Sequence, residues 1–260
     1  MSNPRNYQTE AIIIKGVKLG EADRILTLYT PHLGKIQAVA KGVRRPRSKM
    51  AGHLELLTYS QVWLARGRNL DTVTGCQTIN SFLQLKSDLW LTSCALYTTE
   101  LVNQFAAEHI ENYPLFQLLL KTLEPLCKDK DKELVLRYFE INLLNQVGYR
   151  PQLKHCVACN KALQPATNSF CSAAGGMLCP NCTQHEFLTY PLSVNALKVL
   201  RLLQDSDYAT SSRLKLNSSI SKELEGVMHD YLRYLLEREV KSATWLLTLR
   251  EQKGMLVPNK

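Results

Sequence analysis

Long apolar runs are absent from this 260-residue chain. None approaches the roughly 18 consecutive residues that a bilayer crossing requires. The start, MSNPRNYQTEAIII, lacks the charged head, apolar stretch and small-residue cleavage site of a secretory leader. The cytoplasm is therefore the expected compartment, with no membrane partner. Signatures of bond chemistry are also missing. No Gly-rich phosphate loop, HExxH or GxSxG is present, which speaks against ATP hydrolysis, zinc-protease and serine-hydrolase activity. The six histidines are scattered. No internal repeat and no low-complexity tract occurs. With 45% hydrophobic and 21% charged residues the composition is that of a folded globular chain, not a disordered one.

Acid is scarce at one end of the molecule. Residues 1–80 hold 12 Lys and Arg against 5 Asp and Glu, so they carry +7 of the total +9. A positive field concentrated on one small domain fits a polyanion, above all a nucleic acid. Its densest part is AVAKGVRRPRSKMAGHLE, residues 38–55, with Lys41, Arg44, Arg45, Arg47 and Lys49 and no acid before Glu55. By itself such a loop could equally be a solvated connection.

The first 80 residues read as strands. TEAIIIKGVKL ends at Gly20, and RILTLYT follows the short acidic turn Glu21-Ala22-Asp23. These two acids are expected to order that turn and pair locally, not to act as a catalytic pair. PHLGK is a turn, KIQAVAKGV the third strand, and LTYSQVWLAR and DTVTGCQTI flank a hairpin at GRNL. Five strands in so short a span remove their edges by closing into a barrel. The five-strand OB-fold is the first expectation and an SH3-like barrel the alternative.

After Ser81 the period changes. Trp90, Cys94, Tyr97, Leu101 and Phe105 form a helical stripe, as do Leu136, Phe139, Leu143 and Val147. Pro114 is placed to open a helix through Leu126, and Gly148 to end the second stripe. Leu192, Ala196, Val199 and Leu203, then Leu224, Met228, Tyr231 and Leu235, give two further stripes. The expected fold is thus α+β. An OB-fold nucleic-acid-binding domain at 1–80 is followed by a helical domain in two parts, 81–149 and 189–250. A cysteine module at 150–188 separates those parts, and a frayed tail covers 251–260.

Of eight cysteines, Cys76, Cys94 and Cys127 lie in apolar or mixed surroundings and read as small core residues. The rest cluster. Cys156-x2-Cys159 and Cys179-x2-Cys182 are two tight turns, each able to offer a pair of thiolates, and together they complete a tetrahedron around one zinc ion. Four thiolates leave no position for water, so the expected role is structural. Cys171 is a fifth candidate that could substitute in another register, but with no partner at this spacing it is treated as a bystander, and His155 and His185 flank the pairs. A deaminase would need an upstream His-x-Glu, which is missing. A redox role is weak without a βαβ pattern.

Lys35, Lys41, Arg44, Arg45, Arg47 and Lys49 precede the strand bearing Tyr59 and Trp63, and Arg66 and Arg68 end it. In an OB-type groove cations follow phosphates while rings stack on unpaired bases. All eight cations are therefore candidate DNA contacts. Tyr59 and Trp63 share parity with Gln61 and either stack on bases or fill the barrel.

Taken together, IIIKGVKLGEADRILTLYTPHLGKIQAVAKGVRRPRSKMAGHLE, with its GEADRI, TPHLGK and AKGVRRPRSK, resembles the N-terminal signature of the bacterial recombination-mediator family RecO. VGYRPQLKHCVAC and FCSAAGGMLCPNC are similar to its central zinc module. The likeness spans residues 8 to 190, and Cys171 departs from it where a small polar residue such as Ser is expected. The resemblance implies an N-terminal OB-fold, a helical domain and a zinc-ribbon-like insert. It also implies binding of single- and double-stranded DNA, annealing of complementary strands, and no enzymatic activity. Implied partners are RecR, the acidic C-terminal tail of single-strand-binding protein and, indirectly, RecA, at the nucleoid of a bacterial cytoplasm. An OB-fold RNA-binding protein with zinc is the competing expectation, and a zinc-dependent or redox enzyme the third.

Overall fold

The computed structural model describes residues 5–184 and 188–256. His185 and the last four residues of the expected tail lie outside these. The chain divides into two compact units, Met1–Lys128 and Asp129–Lys260.

The first unit begins with β1 (Asn6–Leu19), β2 (Asp23–Thr30), β3 (Gly34–Ala40), β4 (Tyr59–Ala65) and β5 (Asp71–Asn80). They close into a barrel in the order β1-β2-β3-β5-β4, the OB-fold. β1 is long enough to pair twice. Its first half runs antiparallel to β4, Asn6 opposite Ala65, and its second half antiparallel to β2, Leu19 opposite Asp23. A bulge between Ile13 and Lys15 bends the strand from one partner toward the other. Alternation puts Ala11, Ile13, Leu26, Leu28, Ile36, Ala38, Val62 and Leu64 inside. Each fully buried Leu or Ile among them contributes about 2 kcal/mol. Cys76 packs against this core, and burial pushes its thiol up to about 11. The third strand stops at Ala40, three residues short of the expected Val43, because Gly42 turns to a φ of +65°.

Helices α1 (Leu83–Ser87), α2 (Leu89–Phe105) and α3 (Tyr113–Lys128) belong to the same unit. Asp88 caps α2 by accepting from the Leu91 N–H at 2.9 Å. Cys94, Tyr97 and Leu101 of the expected stripe are buried. The α2–α3 connection clasps the barrel. The His109 N–H donates to the Lys35 carbonyl at 3.0 Å, and Phe116 packs on Tyr29 with centroids 6.2 Å apart. Gly34, at φ +63°, lies under the Ile110 carbonyl so closely that any Cβ would overlap it. The compact unit therefore runs past residue 80, where strand gives way to helix, as far as Lys128.

The second unit holds α4 (Lys132–Gln146), β6 (Asn168–Cys171), β7 (Gly176–Leu178), α5 (Pro180–Thr183), β8 (Tyr190–Leu192), α6 (Val194–Asp205), α7 (Tyr208–Ser211), α8 (Ser218–Leu236) and α9 (Lys241–Leu256). Gly148 follows α4 with φ +87°, the left-handed stop its position predicts. The stripe expected to begin at Leu192 is corrected. Leu192 lies on β8, and Ser193 caps α6, whose buried face is Ala196, Leu197, Leu200 and Leu203. Helices α4, α6 and α8 pack on one another, and β7-β6-β8 form a small sheet.

Candidate nucleic-acid interface and metal site

The basic loop after β3 is ordered by hydrogen bonds to the β1–β2 turn. The Gly42 N–H donates to Asp23 Oδ1 at 2.7 Å, the Arg44 N–H to the Ala22 carbonyl at 2.9 Å, and Arg44 Nη1 to the Gly20 carbonyl at 3.2 Å. Val43 and Leu54 are buried in the barrel core, with Met50 and Ala51 packed against it. These apolar anchors hold the segment down at both ends. Lys41 just before Val43, and Arg45, Arg47 and Lys49 between the anchors, face solvent, and Arg44 is half-buried. Asp23 thus has a function its sequence neighbourhood did not reveal: it fastens the loop after β3.

The other cations are elsewhere. Lys35 is the second residue of β3, and its Nζ donates to the Asn103 carbonyl at 2.8 Å. Burial holds its ammonium below the usual lysine value. Six residues of strand put it about 20 Å from Lys41. Arg66 and Arg68 are exposed on the β4–β5 hairpin. β3 and β5 run parallel, Ala38 beside Asp71 and Val39 beside Thr72. The chain leaves this short seam forward into the basic loop and enters it from the hairpin behind. Loop and hairpin therefore extend in opposite directions. Arg66 lies 4.8 Å over the ring of Tyr7, whose hydroxyl donates to Asp71.

The two aromatic candidates separate. On β4 the even residues Ser60, Val62 and Leu64 are buried in the barrel, so Tyr59 and Trp63 face outward. Tyr59 is occupied: its ring meets Phe116 edge-on at 6.1 Å, and its hydroxyl donates to Glu10. Trp63 is 38% exposed and leans over Gly75, where a Cβ would sit 3.6 Å from the indole.

In the second unit the two cysteine pairs meet. The sulfurs of Cys156, Cys159, Cys179 and Cys182 all lie within 4.8 Å of one another, and those of Cys159 and Cys179 are 3.9 Å apart. A tetrahedron of thiolates around an ion at about 2.3 Å has edges of about 3.8 Å, so the four sulfurs fit one metal ion, zinc included. The first knuckle turns at Asn160, φ +56°, whose N–H donates to the Cys156 carbonyl at 2.8 Å. The second is the start of α5, where Cys179 precedes Pro180 and accepts from the Cys182 N–H at 3.0 Å. Backbone bonds join the halves, from the Val157 N–H to the Met177 carbonyl and from the Met177 N–H to the Gln152 carbonyl, both 2.9 Å. Gly176 permits that approach, because a Cβ there would come within 2.7 Å of the Gln152 carbonyl.

Burial raises the Cys156 thiol, but N–H groups of Cys179, Cys159 and Ala158 outweigh it and bring it down to about 6. Hydrogen bonding with the Cys179 and Cys159 sulfurs pushes Cys182 up to about 12. Four adjacent sulfurs resist carrying four negative charges unless a cation sits between them. Cys171 lies outside the cluster, 2% exposed on β6 opposite Gly176. His155 is exposed beside the first knuckle.

These features define a class: an OB-fold protein with a basic barrel loop, followed by a helical unit built around a four-thiol module. Comparison with known proteins narrows it. The family described as "Recombination protein O N terminal" matches residues 1–82, and "Recombination protein O C terminal" matches residues 86–244. The "DNA repair protein RecO" of Dehalococcoides mccartyi strain CBDB1 is 48% identical over 96% of this chain and 98% of its own. That of Roseiflexus sp. is 42% identical over 95% and 87%, and that of Symbiobacterium thermophilum 35% identical over 94% and 98%. The chain belongs to the recombination protein O family, a family of DNA repair proteins. Among the described residues no helix is long and apolar enough to cross a membrane.

Proposed function

We propose that the protein binds single- and double-stranded DNA and anneals complementary single strands, without making or breaking a covalent bond. With RecR it helps RecA load onto DNA coated by single-strand-binding protein, whose acidic tail it contacts, in the cytoplasm of a bacterium. The observation that carries this reading is the ordered loop with four solvent-facing cations on an OB barrel. Annealing is limited by repulsion between two phosphate backbones, and a fixed cationic surface screens it while releasing counterions. Three of the loop's cations are guanidinium forks suited to phosphate oxygens. Contacts of this kind carry no sequence information, so binding is sequence-tolerant and salt-dependent. The four thiolates hold one zinc ion in a closed, structural site that fixes the β6–β7 module.

The test is strand annealing with bare DNA and with DNA pre-coated by single-strand-binding protein. Arg44, Arg45 and Arg47 replaced together by Ala should lower single-strand affinity about tenfold or more and flatten the salt slope. Wild-type affinity and slope in that variant would refute the reading.

A further inference from the structure

The barrel presents two outward sheet faces with different chemistry. The β1–β2–β3 face adjoins the basic loop. Its rungs are Lys15–Thr27–Gln37 and Val17–Ile25–Val39. The one aromatic ring on it, Tyr29, is 0% exposed, beneath Phe116. This face therefore offers no exposed ring for a base to stack on.

The β1–β4–β5 face is the reverse. Its rungs are Gln8–Trp63–Gly75 and Glu10–Gln61–Gln77. Gly75 lies against one side of the indole, and Trp63 remains 38% exposed. Three glutamine amides border it, able to donate to and accept from base edges. Arg66 and Arg68 follow three and five residues later, exposed at the end of β4 with Arg66 over the Tyr7 ring, where they can meet the backbone of a strand that runs along β4 past Trp63. The two nearby carboxylates are engaged, Glu10 by the Tyr59 hydroxyl and Asp71 by the Tyr7 hydroxyl and the Gly67 N–H.

We infer that the β1–β4–β5 face is a second single-strand site, in which Trp63 stacks on a base and Arg66 and Arg68 hold the backbone, while the basic loop holds the other strand. The inference rests on the annealing function proposed above and gives it a geometry. Loop and hairpin leave the β3–β5 seam in opposite directions, so one barrel holds two strands apart until their bases pair.

The chain has three tryptophans, Trp63, Trp90 and Trp245. In the Trp90→Phe/Trp245→Phe variant, emission comes from Trp63 alone. Titration with a non-complementary thymidine oligonucleotide should leave that emission unchanged through the first equivalent and quench it with the second. Trp63→Ala should keep first-strand affinity within about twofold and slow annealing about five- to tenfold, with Trp63→Phe restoring most of the rate. Quenching by the first equivalent would mean that one strand spans both surfaces and would overturn the proposal. So would the absence of quenching, or wild-type annealing by Trp63→Ala. Loss of the annealing reading is seen separately, as undiminished single-strand affinity in the Arg44, Arg45 and Arg47 triple variant.

Discussion

Cys156 is the most buried of the four clustered thiols, 1% exposed, and backbone N–H groups converge on its sulfur. Replacing it with Ser removes one ligand and leaves a buried hydroxyl among the remaining thiols. The Cys156→Ser protein should fail to bind a metal ion and lose several kcal/mol of stability, because binding and folding of such a module are coupled. Cys171→Ser should keep the metal, since Cys171 lies outside the cluster. Metal analysis after dialysis, with denaturant unfolding, checks both. The pair of CxxC turns was readable from spacing alone, because each is a local turn. Spacing also set Cys171 aside, and the structure leaves it out of the four-sulfur cluster, on β6 opposite Gly176.

Among the elements, the basic loop shows how packing changes the meaning of a charge. Asp23 places a carboxylate beside five cations, and removing it would strengthen attraction to DNA if charge were all that counted. The carboxylate instead accepts from the Gly42 N–H at 2.7 Å and sets the left-handed turn from which the loop departs. Asp23→Ala should therefore cost about 1–2 kcal/mol of stability. It should also weaken single-strand binding on the order of threefold, through the entropy of an unfastened loop. Tighter binding in a titration at fixed salt would mean that charge outweighs order. Strand positions were legible here because the alternation of apolar residues is local. The separation of Lys35, Arg66 and Arg68 from the loop was not, since it follows from the parallel β3–β5 seam, which joins residues 33 apart in sequence. Trp63 and Tyr59, alike in parity, differ because α3 brings Phe116 against only one of them.

For the whole molecule, tyrosine hydroxyls in both units tie stability to alkaline pH. Burial raises Tyr29 in the barrel unit and Tyr231 in the helical unit above their ordinary value near 10. A folded-state pKa above the unfolded one means that the native state holds its proton more tightly. The contribution is complete below pH 10 and falls as pH rises toward the folded values. Thermal unfolding should therefore show a steady loss of stability above pH 10. Tyr29→Phe should reduce that loss, because the phenol makes only a long 3.5 Å contact to the Asn112 carbonyl and has little else to lose.

By itself the sequence determined the five strands, the helical stripes apart from the start of the one at Leu192, the positive charge of the first 80 residues and the two thiol pairs. Each is written in neighbours a few residues apart, where hydrophobic period, turn chemistry and ligand spacing act directly. Tertiary structure alone decided that the first compact unit extends to Lys128, which cation groups belong together, and which aromatic faces solvent. Those outcomes depend on contacts between residues far apart in the chain, where barrel closure and the clasp of the α2–α3 connection choose among arrangements that local pattern leaves equivalent.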